Sequence, residues 1–225
     1  MTEILVRTPG PEDRRIAITQ LVIAGWTGRD KVAMEHHIAE LEALGVARPA
    51  RTPIFYRAAA ARLTQEPAIE VVGADSSGEV EYVLVASDGA FFVGVGSDHT
   101  DRKVETYGVT VSKQMCDKPI GRDFWPFEEI AAHWDQLVLR SHATIGGRRE
   151  LYQEGPVARM LAPAELIRGY AGGDRLAEGT VLFGGTLAAR GGIRPADRFE
   201  GELEDPVLGR RLSFAYDVRQ LPVHG

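Results

Sequence analysis

The chain has little cysteine: Cys116 is the only one in 225 residues. A single cysteine excludes an internal disulfide framework, so the fold depends on its hydrophobic core. Long apolar runs are also absent, since no stretch of the sequence approaches the about 20 apolar residues of a membrane-spanning helix. A chain of this length buries a sizeable core. We therefore expect residues 1–225 to form a single domain that does not cross a membrane.

Positive charge is scarcer than negative charge, with 26 Lys and Arg against 32 Asp and Glu and a formal net charge of −6. This balance argues against nucleic acid and anionic membrane surfaces as partners, and it favours a small molecule. The first seven residues lack the basic and apolar regions of a signal peptide. A cytoplasmic location is therefore expected.

Glycine and proline are plentiful, at 25 and 12 residues, and short β-branched runs are frequent. This composition favours a mainly β fold with tight turns and a few helices, of the α+β class. Strands are predicted at residues 3–7, 16–23, 54–57 and 69–73, and across much of 179–221. Helices are predicted at residues 30–44, with Asp30 as N-cap and Gly45 as terminator, and at 163–169. Helical spacing of Ile130, Trp134 and Leu137 indicates a packed segment after Trp125.

A pair of glutamates, Glu79 and Glu81, opens an apolar stretch predicted to be a strand. Side chains alternate along a strand, so the two carboxylates project to the same side. The next predicted strand, residues 90–96, is followed by Asp98. Three hard oxygen donors suit Mg²⁺ or Mn²⁺ better than zinc. The sequence predicts a divalent metal site here; the alternative is an edge strand with ordinary surface acids.

The predicted helix over residues 30–44 carries His37 and Glu40, which are three positions apart and therefore share a face. A histidine oriented by a carboxylate is a candidate general base. The alternative is an exposed helical pair that contributes about 0.3 kcal/mol to stability.

In their order along the chain, these segments resemble the fumarylacetoacetate hydrolase family, from about Ile23 to Val218. The resemblance rests on His37-Ile-Ala-Glu40, the prolines of 49–53 before Phe55, Glu79-Val-Glu81, Asp98-His-Thr-Asp-Arg102, Lys113 before a Cys-Pro-x-Gly-like turn, and Gly179 to Thr186 followed by Pro195-Ala-Asp197. The chain departs from the family around the substrate: Arg29-Asp30 replaces an Asn-Tyr, and the Thr186 motif lacks its proline. Lys113 lies nearer Asp98 than is usual, whereas the spacing of Lys118 is closer to the family's.

The resemblance implies a mixed β-sandwich roll, a homodimer and a Mg²⁺ or Mn²⁺ cofactor. It implies Glu79, Glu81 and Asp98 as metal ligands, and His37, Glu40 and Lys113 as catalytic residues. Arg102 and Thr186 are implied to bind substrate, with Lys118 either beside them or in place of Lys113 as the active-site lysine. Residues 26–53 are expected to form a lid, because glycines flank the helix.

The implied activity is hydrolysis of a small keto acid resembling an acylpyruvate, with cleavage of a carbon–carbon bond. Isomerisation, decarboxylation and hydration or dehydration pass through a similar enolate, so the residues do not separate them. A second class of function is a non-enzymatic small-molecule binding protein with a structural cation. The third is a structural domain without metal.

Overall fold

A computed structural model of the protein describes residues 2–10, 13–43 and 48–224, apart from the side chains of residues 37, 40 and 41. The described chain is mostly β with few helices, as predicted. Its strands are β1 (Thr2–Val6), β2 (Arg14–Ile18), β3 (Gln20–Gly25), β4 (Ile54–Ala58), β5 (Leu63–Thr64), β6 (Ala68–Val72), β7 (Ser76–Ser77), β8 (Val80–Ser87), β9 (Ala90–Ser97), β10 (Thr100–Asp101), β11 (Lys118–Pro119), β12 (Trp125–Pro126), β13 (Val138–Ile145), β14 (Arg148–Pro156), β15 (Thr180–Phe183), β16 (Arg198–Asp205) and β17 (Arg210–Leu221).

The α-helices are α1 (Lys31–Ala43), α2 (Arg102–Glu105), α3 (Val109–Met115), α4 (Phe127–Ile130) and α5 (Pro163–Ala171). Short 3-10 turns lie at Ala60–Arg62, Ala131–Gln136 and Val157–Arg159. None of the helices in the described ranges is long and apolar enough to cross a membrane.

Two sheets and a hairpin form the body of the molecule. One sheet has six strands in the order β12-β9-β8-β15-β3-β4, and the other has five in the order β14-β13-β16-β17-β6. The core between the sheets includes Tyr82, Leu84, Phe199, Leu203 and Tyr216. A second core, on the opposite face of the six-stranded sheet, joins residues such as Val83 and Val85 to the β1–β2 hairpin.

Strand β8 lies in the middle of the six-stranded sheet, paired with β9 on one side and β15 on the other. All eight of its residues are buried, because each face of the strand packs against one of the two cores. The alternative interpretation of this segment as a solvent-facing edge strand is therefore wrong.

The predicted helix over residues 30–44 is α1, and its predicted cap is confirmed. The Asp30 carboxylate accepts hydrogen bonds from the backbone N–H groups of Val32 and Ala33, each at 3.0 Å, which satisfies two otherwise unpaired donors. Leu44 and the predicted terminator Gly45 lie outside the described residues.

Two other predictions were right in part: the burial of one segment was predicted correctly but its secondary structure is irregular, and a predicted single strand is divided in two. Ile130, Trp134 and Leu137 are buried as expected, yet their segment is the short helix α4 followed by a 3-10 turn, broken at the non-helical backbone of His133. The predicted strand over residues 16–23 is divided at Thr19 into β2 and β3.

Candidate metal centre

Three carboxylates meet where β8 begins and β9 ends. Glu79 directly precedes β8, Glu81 is its second residue, and Asp98 directly follows β9. The antiparallel register places Glu81 opposite Gly96, and the Asp98 N–H donates to the Glu79 carbonyl at 3.0 Å. One carboxylate oxygen from each residue lies within 4.8 Å of the other two. The structure thus brings together the three residues predicted as metal ligands.

The three carboxylates are largely removed from solvent. The exposed fraction is 2% for Glu81 and 0% for Asp98, while the Glu79 side chain is 19% exposed. Burial, together with the nearby charges of Asp98 and Glu79, raises the pKa of Glu81 well above its ordinary value. The Glu81 carboxylate accepts a hydrogen bond of 2.7 Å from the Gly185 N–H, which opposes that rise.

Two buried lysines approach Asp98. Lys113 Nζ donates to one Asp98 oxygen and lies 3.4 Å from Glu79 Oε2, while Lys118 Nζ is 3.1 Å from the other Asp98 oxygen. Burial raises the pKa of Asp98, but the two ammonium groups outweigh it and hold that pKa at about 2. Both of the lysines considered from the sequence are therefore at the site, and Lys113 also reaches Glu79.

The two lysines differ in their electrostatic setting. Burial lowers the pKa of Lys113, but Asp98 and Glu79 more than offset it, and the pKa lies above its ordinary value. For Lys118, burial is the largest influence and the pKa falls below its ordinary value, although Asp98 opposes the fall. Lys118 Nζ also donates to the His99 carbonyl, which ties it to the loop that carries Asp98.

Arg102, predicted to bind a substrate carboxylate, here holds side chains of the site itself. Its Nη2 is 3.1 Å from Glu79 Oε1, its Nη1 donates to Glu105 at 3.1 Å, and its Nε donates to Ser77 at 2.7 Å. Arg102 thus forms salt bridges to both Glu105 and Glu79. Its contact with a substrate stays a prediction.

The loop after β15 closes another side of the site. Thr186 Oγ1 donates to the Val80 carbonyl and accepts from Gln153 Nε2, both at 2.8 Å. Gly185 has a φ of +100°, and a Cβ there would lie 1.9 Å from Thr27 Oγ1. Only glycine fits this approach, which puts its N–H within reach of Glu81.

His37 and Glu40 both belong to α1, where residues three apart share a face. Their side chains lie outside the described part of the structure. Their predicted action as a base and its orienting carboxylate stays a prediction.

Sequence reasoning missed two residues next to the triad, His99 and Tyr216. His99 is 1% exposed and Tyr216 is 0% exposed, and their side chains are hydrogen-bonded at 2.8 Å. Burial and the charge of Lys118 lower the pKa of His99 to about 3, so its ring is neutral. Tyr216 could not be recognised from its own segment, because it reaches Ser97 and His99, the chain neighbours of Asp98, from a distant strand.

The donor set fits a divalent cation. Glu79, Glu81 and Asp98 offer hard oxygen atoms at a separation that one ion can bridge. A buried carboxylate such as Glu81 is costly to ionise beside two others unless a cation balances its charge. Other oxygen ligands would come from water or a bound small molecule, as is usual for Mg²⁺.

Comparison with known proteins places the chain in a family whose activity is unknown. Residues 24–216 match the family model described as a protein of unknown function, DUF2848. The chain belongs to this family. No curated protein matches its sequence.

Solved structures similar to this DUF2848 protein share its fold. The Cg1458 structure with inhibitor has a TM-score of 0.68 and 18% identity, and the match covers 97% of this chain and 89% of that one. A 2-keto-3-deoxy-D-arabinonate dehydratase complexed with magnesium and 2,5-dioxopentanoate has a TM-score of 0.65 and 17% identity, with coverage of 93% and 77%. The protein has the α+β fold of these structures.

Proposed function

We propose that this protein is a divalent-metal-dependent enzyme of the fumarylacetoacetate hydrolase type that acts on a small 2-keto acid. The observation that carries the proposal is the largely buried triad of Glu79, Glu81 and Asp98. Its cofactor would be Mg²⁺ or Mn²⁺. The magnesium-bound dehydratase of the same fold supports this cofactor and substrate class.

A divalent cation bound by the triad would polarise adjacent oxygens of a keto acid and stabilise the negative charge that develops on them. His37, oriented by Glu40, would take a proton from water or from the carbon beside the carbonyl. Lys113 places a positive charge next to Glu79 and Asp98, where it would face that developing charge. A carboxylate of the substrate would meet the planar guanidinium of Arg102.

Hydrolysis of an acylpyruvate-like compound is the first reaction proposed. Water adds across the bond between the acyl carbon and the adjacent methylene carbon, which gives a carboxylic acid and a 2-keto acid. Thr186, held by Val80 and Gln153, would bind the far end of the substrate. The second lone pair of Thr186 Oγ1 and the backbone of the adjacent loop would form the hydrogen bonds to that end of the substrate.

Dehydration is the second candidate, and the dehydratase of the same fold favours it. Here the base removes a proton beside the carbonyl and a hydroxyl group leaves from the next carbon, with net release of water. The two reactions are distinguished by their products, because hydrolysis consumes water and divides the substrate, whereas dehydration releases water and keeps the carbon chain intact.

A binding protein with a structural cation needs no base at the site. Turnover that depends on His37 and Glu40 would therefore distinguish an enzyme from such a binding protein. We also propose a homodimer, which light scattering of the purified protein would test. The three carboxylates come from one chain, so a monomer would retain the triad.

Metal binding is the first experiment. Calorimetric titration with Mg²⁺ is expected to show one site in the wild-type protein and strongly reduced affinity in Glu79→Gln/Glu81→Gln. The matched control is Glu66→Gln/Glu70→Gln, which changes two exposed glutamates and should bind as the wild type does. Equal binding in both double variants would overturn the assignment of the site.

Activity is the second experiment. Protein loaded with Mg²⁺ or Mn²⁺ would be incubated with acylpyruvates, oxaloacetate, 2-hydroxydienoates and 2-keto-3-deoxy sugar acids, and the products identified by mass spectrometry. Turnover that requires metal and is lost in Glu79→Gln/Glu81→Gln supports the proposal. Metal binding without turnover of any of these compounds would favour the binding-protein alternative.

A further inference from the structure

A single phenolic oxygen binds both chain neighbours of Asp98. Tyr216 Oη lies 2.9 Å from Ser97 Oγ and 2.8 Å from His99 Nδ1. Ser97 and Tyr216 are fully buried, and His99 is 1% exposed. Asp98 stands between Ser97 and His99 in the chain, so its backbone is fixed on either side by the same hydroxyl.

The same tyrosine is also linked to the backbone of Glu79 by hydrogen bonds through Ser97. Ser97 Oγ accepts a hydrogen bond from the Glu79 N–H at 3.2 Å, and the Asp98 N–H donates to the Glu79 carbonyl at 3.0 Å. The Tyr216 hydroxyl, through Ser97, is thus one step from the backbone of Glu79. Two of the three carboxylates are held relative to each other by this arrangement.

The other side of His99 is also fixed. Its Nε2 lies 2.9 Å from Ser76 Oγ, and its ring packs edge-on to Tyr216 with centroids 5.6 Å apart. A neutral imidazole has one nitrogen that donates and one that accepts, so it satisfies a hydroxyl at each end. Buried polar networks that are satisfied in this way favour one arrangement of their members.

The network joins two parts of the fold that the sequence keeps apart. Tyr216 belongs to β17 of the five-stranded sheet, whereas Ser97 ends β9 of the six-stranded sheet. A metal centre needs its ligands held to within about 0.5 Å, and ligands on a loop need support from a rigid element. Strand β17 provides that support.

We propose that Tyr216 and His99 are positioning residues for the metal centre, which set the separation of the Glu79 and Asp98 carboxylates without touching the ion. This inference rests on the proposed function, since it requires that the triad binds a divalent cation. It adds to that function two residues that are not among the site residues predicted from the sequence.

The test is the Mg²⁺ affinity of Tyr216→Phe, which removes the hydroxyl and keeps the ring. Loss of a group that orients a metal ligand lowers affinity by about 10-fold to 100-fold, and a weakening in this range is expected by calorimetry. The matched control is Tyr152→Phe, another buried tyrosine whose hydroxyl accepts from the Arg194 backbone N–H at 2.9 Å. Both variants lose a buried hydrogen bond, but only Tyr216→Phe should lose metal affinity.

A rescue experiment at His99 gives an independent measurement. His99→Gln keeps a donor and an acceptor in the side chain, whereas His99→Leu has neither. Mg²⁺ affinity is expected to be nearer the wild-type value in His99→Gln than in His99→Leu. If His99→Leu does not fold, the comparison of Tyr216→Phe with Tyr152→Phe decides the matter alone.

The outcomes separate this inference from the proposed function. Wild-type protein that binds Mg²⁺, with Tyr216→Phe binding it equally well, overturns the positioning role and leaves the metal centre in place. Equal weakening in Tyr216→Phe and Tyr152→Phe shows a general effect of stability and also overturns it. Wild-type protein that binds no Mg²⁺ overturns the proposed function, and the positioning role with it.

Discussion

Lys113 Nζ lies between two carboxylates of the triad: it donates to Asp98 and is 3.4 Å from Glu79 Oε2. The lysine side chain is 9% exposed, so its ammonium group balances charge in a setting with little solvent screening. A protein that can exist without its metal needs such a compensating charge, because buried carboxylates without a cation are costly.

Removing this charge should make the protein dependent on metal for its stability. Lys113→Met is expected to lose about 3 kcal/mol of unfolding free energy in EDTA, because it leaves buried carboxylates without their partner. Mg²⁺ should restore part of that loss, since a ligand that binds the native state stabilises it. Urea unfolding with EDTA or Mg²⁺ measures both effects.

The control for Lys113 is Lys103→Met, which removes an exposed lysine in the neighbouring helix α2. Its stability should stay within about 0.5 kcal/mol of the wild type, as is usual for surface changes. A Lys113→Met protein as stable in EDTA as the Lys103→Met protein would contradict the compensating role.

Gly185→Ala should be far more damaging than Gly192→Ala. Both glycines have positive φ, at +100° and +83°, so an alanine at either costs about 1–2 kcal/mol of backbone strain. At Gly192 no atom lies within 4 Å of the new Cβ, whereas at Gly185 Thr27 Oγ1 lies at 1.9 Å. Gly185→Ala is therefore expected to lose about 2 kcal/mol more in urea unfolding. Equal losses would show that the loop moves aside without cost.

His37 and Glu40 are expected to act as a unit. His37→Ala, Glu40→Ala and the double variant should show similarly low turnover of an identified substrate with Mg²⁺ binding retained, because a base and its orienting group are strongly non-additive. The control is His36→Ala, which changes the neighbouring exposed histidine of α1. Losses that add in a kinetic double-mutant cycle would contradict the pair.

The lid hypothesis concerns α1. Thr27 and Arg29 are anchored, since the Thr27 carbonyl accepts from the Leu161 N–H at 2.7 Å and Arg29 pairs with Asp135 at 2.7 Å. Beyond them, Val32 is 81% exposed. We expect hydrogen exchange at the backbone amides of Lys31–Ala43 to be slower in a sample with Mg²⁺ and oxalate than in a sample without them. The reason is that a ligand favours the closed state, which binds it better. Equal, strong protection in both samples would show a fixed helix.

The residue pattern by itself determined the elements that are local in the chain. The Asp30 cap, helix α5 and the consecutive strands β8 and β9 follow from spacing over a few residues, because hydrogen bonds and side-chain alternation act over that range. The same locality placed Glu79, Glu81 and Asp98 together, since antiparallel neighbours joined by a short turn bring the start of one strand beside the end of the next.

Only the tertiary structure decided how that triad is buried and supported. Strand β8 is central because β15 pairs with it from far along the chain, and β15 ends at the loop that brings Gly185 to Glu81. Tyr216 reaches the neighbours of Asp98 through the packing of two sheets. Such contacts depend on which distant strands meet, and the residue pattern of one strand does not specify the strand that packs against it.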